Sequence, residues 1–348
     1  MAHRIQKTDK LLKFLEAKKD RLSPLLVLTH DYPDPDALAS ACALRHLAQT
    51  AFGIRTRIAY GGIVGRDENK KMVEMLRLPI HRLTQRDFKR HRGIALVDTQ
   101  PAFRNNSFPV SRPATIVIDQ HPPVEPPAAD FVIVDSDAGA TSVILAEALL
   151  ASKIRIPANL ATALAYGILS DTLNLYRNSR LRTVRVYLAM LSLSDMNTLA
   201  RIQYPKRPKR FFKSFFKGFG EATILHRLIV SHLGKVESPD VISQMADFLL
   251  TCEGMQWSFC TGRIREFLHF SFRAADPTMD AGQVLRDILS NAGQAGGHGG
   301  VAGGQLRIRE NTKGSGWTTM ERLLVRKLAQ KIHMAKRKRP IPLVKHKR

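Results

Sequence analysis

Cysteine is scarce in this chain: Cys42, Cys252 and Cys260 are the only three among 348 residues. No pair has the C-x-x-C spacing of a zinc or redox site, so the thiols are expected as small buried apolar groups in a reducing compartment. Long apolar runs are also missing. No segment is long and apolar enough to span a bilayer, and Met1 to Asp20 is charged throughout, without the apolar core of a secretory leader. A cytoplasmic protein with no membrane partner is therefore expected. Acid is the third shortage: 54 lysines and arginines stand against 30 acids, a formal charge of +24. Such a field concentrates polyanions, and nucleic acid is the commonest one in the cytoplasm. Charge names the class of partner and leaves the reaction open.

What is present is enough to fold. Hydrophobic residues make up 44% and charged residues 24%, near globular averages, and the length allows two domains with separate cores. In the first half, short β-rich runs alternate with stretches of helical period. Strands are expected at 25–29, 55–60, 94–98, 115–119 and 131–134, and helices at 36–51 and 140–151. That alternation predicts an α/β fold, with a parallel-sheet N-terminal domain over residues 1–200. In such sheets ligands bind beyond the carboxyl ends of the strands, and Asp98 and Asp119 fall at such ends.

Residues 201–221 form a basic, aromatic stretch that is expected to link the domains. Its Phe211, Phe212, Phe215, Phe216 and Phe219 recur at helical spacing. They read as the buried stripe of an interdomain helix, with a stacking platform for single-stranded nucleic acid as the alternative. A smaller α/β domain is expected over 222–310, closing in a glycine-rich segment. Residues 311–348 lose apolar periodicity except at 320–332. Their Lys336–Arg339 and Lys345–Arg348 clusters read as a solvated basic tail, able to contact nucleic acid non-specifically or merely to solubilise.

The densest chemistry lies directly after the first strand, in His30-Asp31-Tyr32-Pro33-Asp34-Pro35-Asp36. One imidazole and several carboxylates share a proline-stiffened loop, so their side chains can converge at little entropic cost. Asp36 also suits the start of the following helix. An acidic turn with a helix cap would look the same in isolation. Further acids recur, however, in Val97-Asp98-Thr99, Ile118-Asp119-Gln120-His121 and Ser170-Asp171-Thr172. A carboxylate in an apolar run costs several kcal/mol unless something neutralises it. An arginine could serve one of these acids, and it serves poorly for all of them. Mixed imidazole and carboxylate donors suit manganese and admit magnesium, cobalt or zinc.

Taken in order, His30-x-x-x-Asp34-x-Asp36, Asp98, Asp119-x-His121 and Asp171 resemble the four motifs of the DHH phosphoesterases. Ala295-Gly296-Gly297-His298-Gly299-Gly300 resembles the signature loop of their associated C-terminal domain. The resemblance implies two Mn2+ ions, with Mg2+ as an option. His30 and Asp34 would bind one ion, Asp36 and Asp171 the other, and Asp98 would bridge them. Asp119 would orient its neighbours from behind, and His121 would contact the scissile phosphate, with a general-acid role open to it. The pattern breaks at Gln120, where the family has a histidine ligand; either the amide substitutes weakly, or the second site is weak or empty. Ser271, Arg273, Gly296, Gly297 and His298 would hold the far end of the substrate, although a glycine-rich turn beside an ordinary strand arginine would read alike.

The implied function is metal-dependent hydrolysis of phosphate esters in short oligoribonucleotides or nucleotides, of the nanoRNase or phosphoadenosine-phosphate phosphatase type. A cyclic-dinucleotide phosphodiesterase is one rival. The other is a non-catalytic nucleotide- or RNA-binding protein whose second site has decayed. The oligomeric state stays open, with a homodimer among the options.

Overall fold

The computed structural model describes residues 2–103, 105–109, 112–177, 180–276, 278–290, 293–308, 315–333 and 339–344, without the side chains of 2–6, 298 and 315. It divides into two compact units, Met1–Pro205 and Lys206–Arg348.

The first unit runs α1 (Ala2–Leu22), β1 (Leu25–Leu28), α2 (Pro35–Phe52), β2 (Thr56–Tyr60), α3 (Asp67–Leu76), β3 (Ile80–Arg82), α4 (Gln85–Arg90), β4 (Gly93–Val97), β5 (Ala114–Asp119), β6 (Ala129–Val134), α5 (Thr141–Ser152), α6 (Ala158–Asp171), α7 (Leu181–Ser192) and α8 (Met196–Gln203). The six strands pair in the order β3-β2-β1-β4-β5-β6, all parallel. β1 and β4 are buried at every position. They are central strands covered on both faces, which explains why their sequences are continuous apolar runs instead of alternating ones.

One face carries the larger core, where Leu38, Leu44 and Leu47 of α2 meet Val143 of α5 and Leu164 of α6. The other face holds a smaller cluster of Leu26, Leu28, Ile94, Leu96 and Val117. Each such side chain contributes about 1.5–3 kcal/mol by leaving water. α2 begins with Asp34 accepting from the Ala37 amide and Pro35 in the first helical position, and ends at Gly53 in the left-handed conformation. The strand order reverses between β1 and β4, and doubly wound sheets leave a crevice at the carboxyl ends of such a strand pair.

The second unit comprises α9 (Lys209–Gly220), β7 (Thr223–Leu225), β8 (Leu228–Lys235), α10 (Pro239–Leu250), β9 (Trp257–Ile264), β10 (Phe267–Ala274), α11 (Ala281–Leu289), β11 (Gln294–His298), β12 (Val301–Arg307), α12 (Ser315–Lys331) and β13 (Ile341–Pro342). Its mixed sheet has the order β11-β12-β10-β9-β8-β7-β13, with only β8 and β9 parallel. Residues alternate between two cores: Leu228, Val230 and Phe259 face α11 and α12, while Ile229, Leu233 and Cys260 face α9 and α10.

Two expectations change here. The segment 311–348 is not only a solvated tail. Leu324, Leu328 and Ile332 of α12 are buried in the core of the second unit, Glu321 of the same helix pairs with Arg263 at 3.1 Å, and Ile341–Pro342 adds a strand to β7. Of the expected basic clusters, Arg339 is exposed, and 336–338 and 345–348 lie outside the described residues. The phenylalanines of α9 likewise do not form one buried stripe. Phe215 and Phe219 pack on the core of their own unit, whereas Phe212 and Phe216 are 62% and 81% exposed.

Candidate active site

Three chain segments meet at the crevice between β1 and β4. The β1–α2 loop supplies His30 and Asp34. β4 ends at Asp98, whose φ of 59° lies in the left-handed region, which aspartate tolerates better than most residues. That turn ends the strand and leaves the Asp98 carboxylate within 3.6 Å of His30 Nε2 and 3.6 Å of His121 Nδ1. His30 Nε2 also lies 3.9 Å from Asp34, and its Nδ1 lies 2.8 Å from the Asp31 carbonyl. If Nδ1 donates to that carbonyl, Nε2 is left as the lone-pair atom facing the two carboxylates. One donor atom from each of His30, Asp34 and Asp98 lies within 4.8 Å of the other two, and the same holds for Asp98, Asp119 and His121.

The two groups differ in kind. Asp119 is completely buried; its Oδ1 accepts from the backbone amide of His121 and lies 2.9 Å from His121 Nδ1, while its Oδ2 accepts from Gln100 at 2.8 Å. It therefore acts as a lever that fixes the His121 ring. His30, Asp34 and Asp98 have no comparable internal hydrogen bonds among themselves, and they form an N/O donor set that suits a divalent cation.

Asp36 and Asp171 join neither group. Asp36, in the first turn of α2, turns its carboxylate to the start of α5 and accepts from the Thr141 amide at 2.7 Å and the Ser142 amide at 2.8 Å, so helix-end N–H groups hold its charge. Asp171 is the last residue of α6, the end at which the helix dipole disfavours a carboxylate, and Gln120 Nε2 approaches it at 3.3 Å. The same nitrogen lies 3.0 Å from His121 Nε2. The Gln120 side chain thus presents its amide nitrogen, not a ligand oxygen, to the carboxylate with which it was expected to share an ion.

The electrostatics follow from packing carboxylates together away from water. Burial raises the Asp98 carboxyl well above its ordinary range, and the charges of Asp36 and Asp34 push the same way. Asp171 is raised likewise by burial and by Asp36 and Asp34, with Arg177 offsetting part of it. Asp36 rises to about 6, through burial first and Asp34 second. Asp34 is the exception, because the His30 contact overrides its burial and brings it down to about 2. Burial works to lower His121, but Asp119 outweighs it and the imidazole is raised. A cluster in which each acid resists the ionisation of the next is relieved by one positive charge at its centre.

Some participants were not visible in the sequence. Thr141 Oγ1 donates to Asp98 at 2.8 Å and accepts from the Gln120 backbone N–H, and its own N–H donates to Asp36, so one residue at the start of α5 steadies three others. Gln100 grips Asp119 and the His121 carbonyl, leaving its own Oε1 buried without a partner among the described residues. Their only signal was position, since both stand within a few residues of a strand end or helix start that faces the crevice.

In the second unit, Ser271 is buried with its hydroxyl 2.9 Å from Ser243 Oγ. Arg273 is also buried; its Nε engages Asp247, and its Nη1 donates to the carbonyls of Phe272 and Ala302. Nε and Nη1 of Arg273 thus brace the sheet. The glycine-rich segment is the β11–β12 hairpin. A Cβ at Gly297 would strike the Val301 carbonyl and Ala302, so that glycine serves strand packing, whereas Gly296 has open space beside it. The His298 side chain lies outside the described residues.

The first unit is thus a doubly wound α/β domain with an acidic, imidazole-containing, cation-competent site at its topological reversal. Residues 24–168 match the DHH family, N-terminal domain, so the first unit carries a domain of that family. An uncharacterized protein of Methanocaldococcus jannaschii is 31% identical over 291 residues, covering 83% of this chain; the chain spans 60% of that relative's length. The crystal structure of an exopolyphosphatase-related protein from Bacteroides fragilis superposes with a TM-score of 0.70 at 16% identity, covering 94% of this chain and 98% of the other. At that identity the likeness is one of fold.

Proposed function

We propose that this protein is a divalent-metal-dependent phosphoesterase that hydrolyses phosphate esters in short oligoribonucleotides or nucleotides, with Mn2+ as its preferred ion and Mg2+ as a substitute. The observation that carries the reading is the convergence of His30, Asp34 and Asp98 at the crevice, three groups whose donor atoms fit one cation. When bound there, the ion supplies Lewis-acid charge to a phosphoryl oxygen and lowers the pKa of a water.

The chain's own residues do the rest. Asp98 holds its carboxylate between His30 and His121, with Thr141 fixing one oxygen. Asp119 locks the His121 ring, whose side chain is 45% exposed and so placed to meet the phosphate. Against its burial, Asp119 raises the His121 imidazole above its usual range, and a general-acid role would require the Gln120 amide, 3.0 Å from Nε2, to turn aside so that a protonated Nε2 could reach the leaving oxygen. The second unit is read as the DHH-associated substrate domain. Gly296 offers its open backbone to the substrate, and Arg273 keeps the strand in place.

The test is hydrolysis by the purified full chain with Mn2+, against dinucleotides, longer RNAs, cyclic dinucleotides and phosphoadenosine phosphate. Turnover of a short substrate that disappears in Asp98→Asn supports the reading. Binding without turnover on every substrate would favour the non-catalytic alternative, which the Gln120–Asp171 contact keeps in view.

A further inference from the structure

The sequence of α9, KRFFKSFFKGFG, holds three lysines, one arginine and no acid. Its inner face is already used: Gly218 is buried, and Phe215 and Phe219 pack on the core of their unit beside Phe248. Phe212 and Phe216, one helical turn apart, are left in solvent at 62% and 81% exposure, with Lys209, Lys213 and Lys217 exposed alongside. Arg210 is paired with Glu237 at 2.9 Å.

Neither half of this arrangement helps the fold. Two adjacent rings gain nothing from water, and contiguous exposed apolar surface marks an interaction site. Lys209 and Arg210 occupy the first turn, where the helix dipole disfavours cations. A ligand that rewards both features must offer flat apolar faces and negative charge at short intervals. Single-stranded nucleic acid does so: its bases stack on aromatic rings and its phosphates pair with lysines. A bilayer surface fits less well, because an interfacial helix needs a broad apolar face, and here the broad face is buried in the unit.

We propose that the exposed face of α9, formed by Phe212, Phe216, Lys209, Lys213 and Lys217, binds single-stranded nucleic acid by stacking and phosphate pairing. This goes beyond the hydrolytic reading and requires no ion in the first unit. Anisotropy of a fluorescein-labelled 12-nucleotide single-stranded RNA, titrated with the full chain in EDTA so that no metal-dependent cleavage occurs, provides the test. Phe212→Ala/Phe216→Ala should bind about 10- to 100-fold more weakly with an unchanged salt slope. Phe212→Leu/Phe216→Leu keeps the apolar area without the ring and should weaken binding comparably, which separates stacking from a packing defect. Lys209→Gln/Lys213→Gln should flatten the salt slope by about 1.4. Wild-type affinity in both phenylalanine variants would overturn the proposal. So would a loss of binding to phosphatidylglycerol vesicles with RNA binding intact, which would assign the face to a membrane surface.

Discussion

Gln120→His is the most informative single substitution. In the wild type the Gln120 amide nitrogen stands 3.3 Å from Asp171 Oδ2 and 3.0 Å from His121 Nε2. An ion entering between Asp36 and Asp171 would have to break the first contact and turn the amide so that its oxygen faces inward. A hydrogen bond of this length to a carboxyl whose ionisation is resisted contributes about 0.5–1.5 kcal/mol. Gaining an imidazole ligand is worth more than orienting one, and orientation alone changes metal affinity by about 10- to 100-fold, or about 1.4–2.8 kcal/mol. The two effects act in the same direction. Calorimetric titration of Mn2+ should therefore give one ion per wild-type chain, held by His30, Asp34 and Asp98, and a second, resolvable ion in Gln120→His. Stoichiometry after desalting, read by elemental analysis, checks the count without reference to turnover. Two ions bound by the wild type as tightly as by the variant would refute the idea that the amide blocks the second position.

Asp98→Asn keeps the side-chain size and the tolerance for φ of 59° while removing charge from the centre of the cluster, so turnover should fall about 100-fold or more with the melting temperature held or raised. Arg182 donates to Asp135 at 2.8 Å and to both oxygens of Glu147, and Arg182→Met would remove the guanidinium from a buried and a half-buried carboxylate while leaving Lys7 3.5 Å from Asp135, at a cost of about 1–3 kcal/mol, or about 2–12 °C in thermal melting. The sign of its pH dependence is fixed: burial pushes the Asp135 carboxyl up, but Arg182 overrides this and holds it below the usual range. The pair's contribution is therefore complete above the unfolded pKa of about 3.9 and is lost as pH falls through the lower folded value. The gap between wild type and variant should accordingly narrow in melts below about pH 4. Leu324→Ala in α12 should destabilise the second unit by about 2–5 kcal/mol in denaturant titration; an unaffected midpoint would return that segment to a solvated tail.

The sheet of the first unit was legible because its central strands are short apolar runs between turn residues, and Asp98 and Asp119 could be placed at strand ends from that pattern alone. β3, with three half-exposed or exposed residues, Ile80–Arg82, carries no such pattern and was missed. The site residues were legible as types and order, since carboxylates in apolar contexts stand out. Their division of labour was not, because it is decided by tertiary hydrogen bonds. Asp36 turns to the α5 amides and Gln120 to Asp171, and neither choice leaves a trace in local sequence. Arg273 shows the same limit: nothing in local sequence tells that Asp247 and two carbonyls engage its Nε and Nη1. In α12 the apolar period over 320–332 was visible, but five charges interleaved with it and basic clusters beyond it left no sign that Leu324 and Leu328 enter the core of the second unit.

The amides of Thr141 and Ser142, closing on Asp36, have a consequence for how the site acquires an ion. Because the Thr141 and Ser142 amides already hold Asp36, one wall of the crevice is positioned by the chain itself, and an ion bound to the folded site would add stability by mass action. A cation entering between His30, Asp34 and Asp98 would meet donors already brought together, and its rate of entry would then depend on how readily it sheds water. Mg2+ dehydrates reluctantly and should load slowly relative to Mn2+, even where the two are held with similar strength at equilibrium.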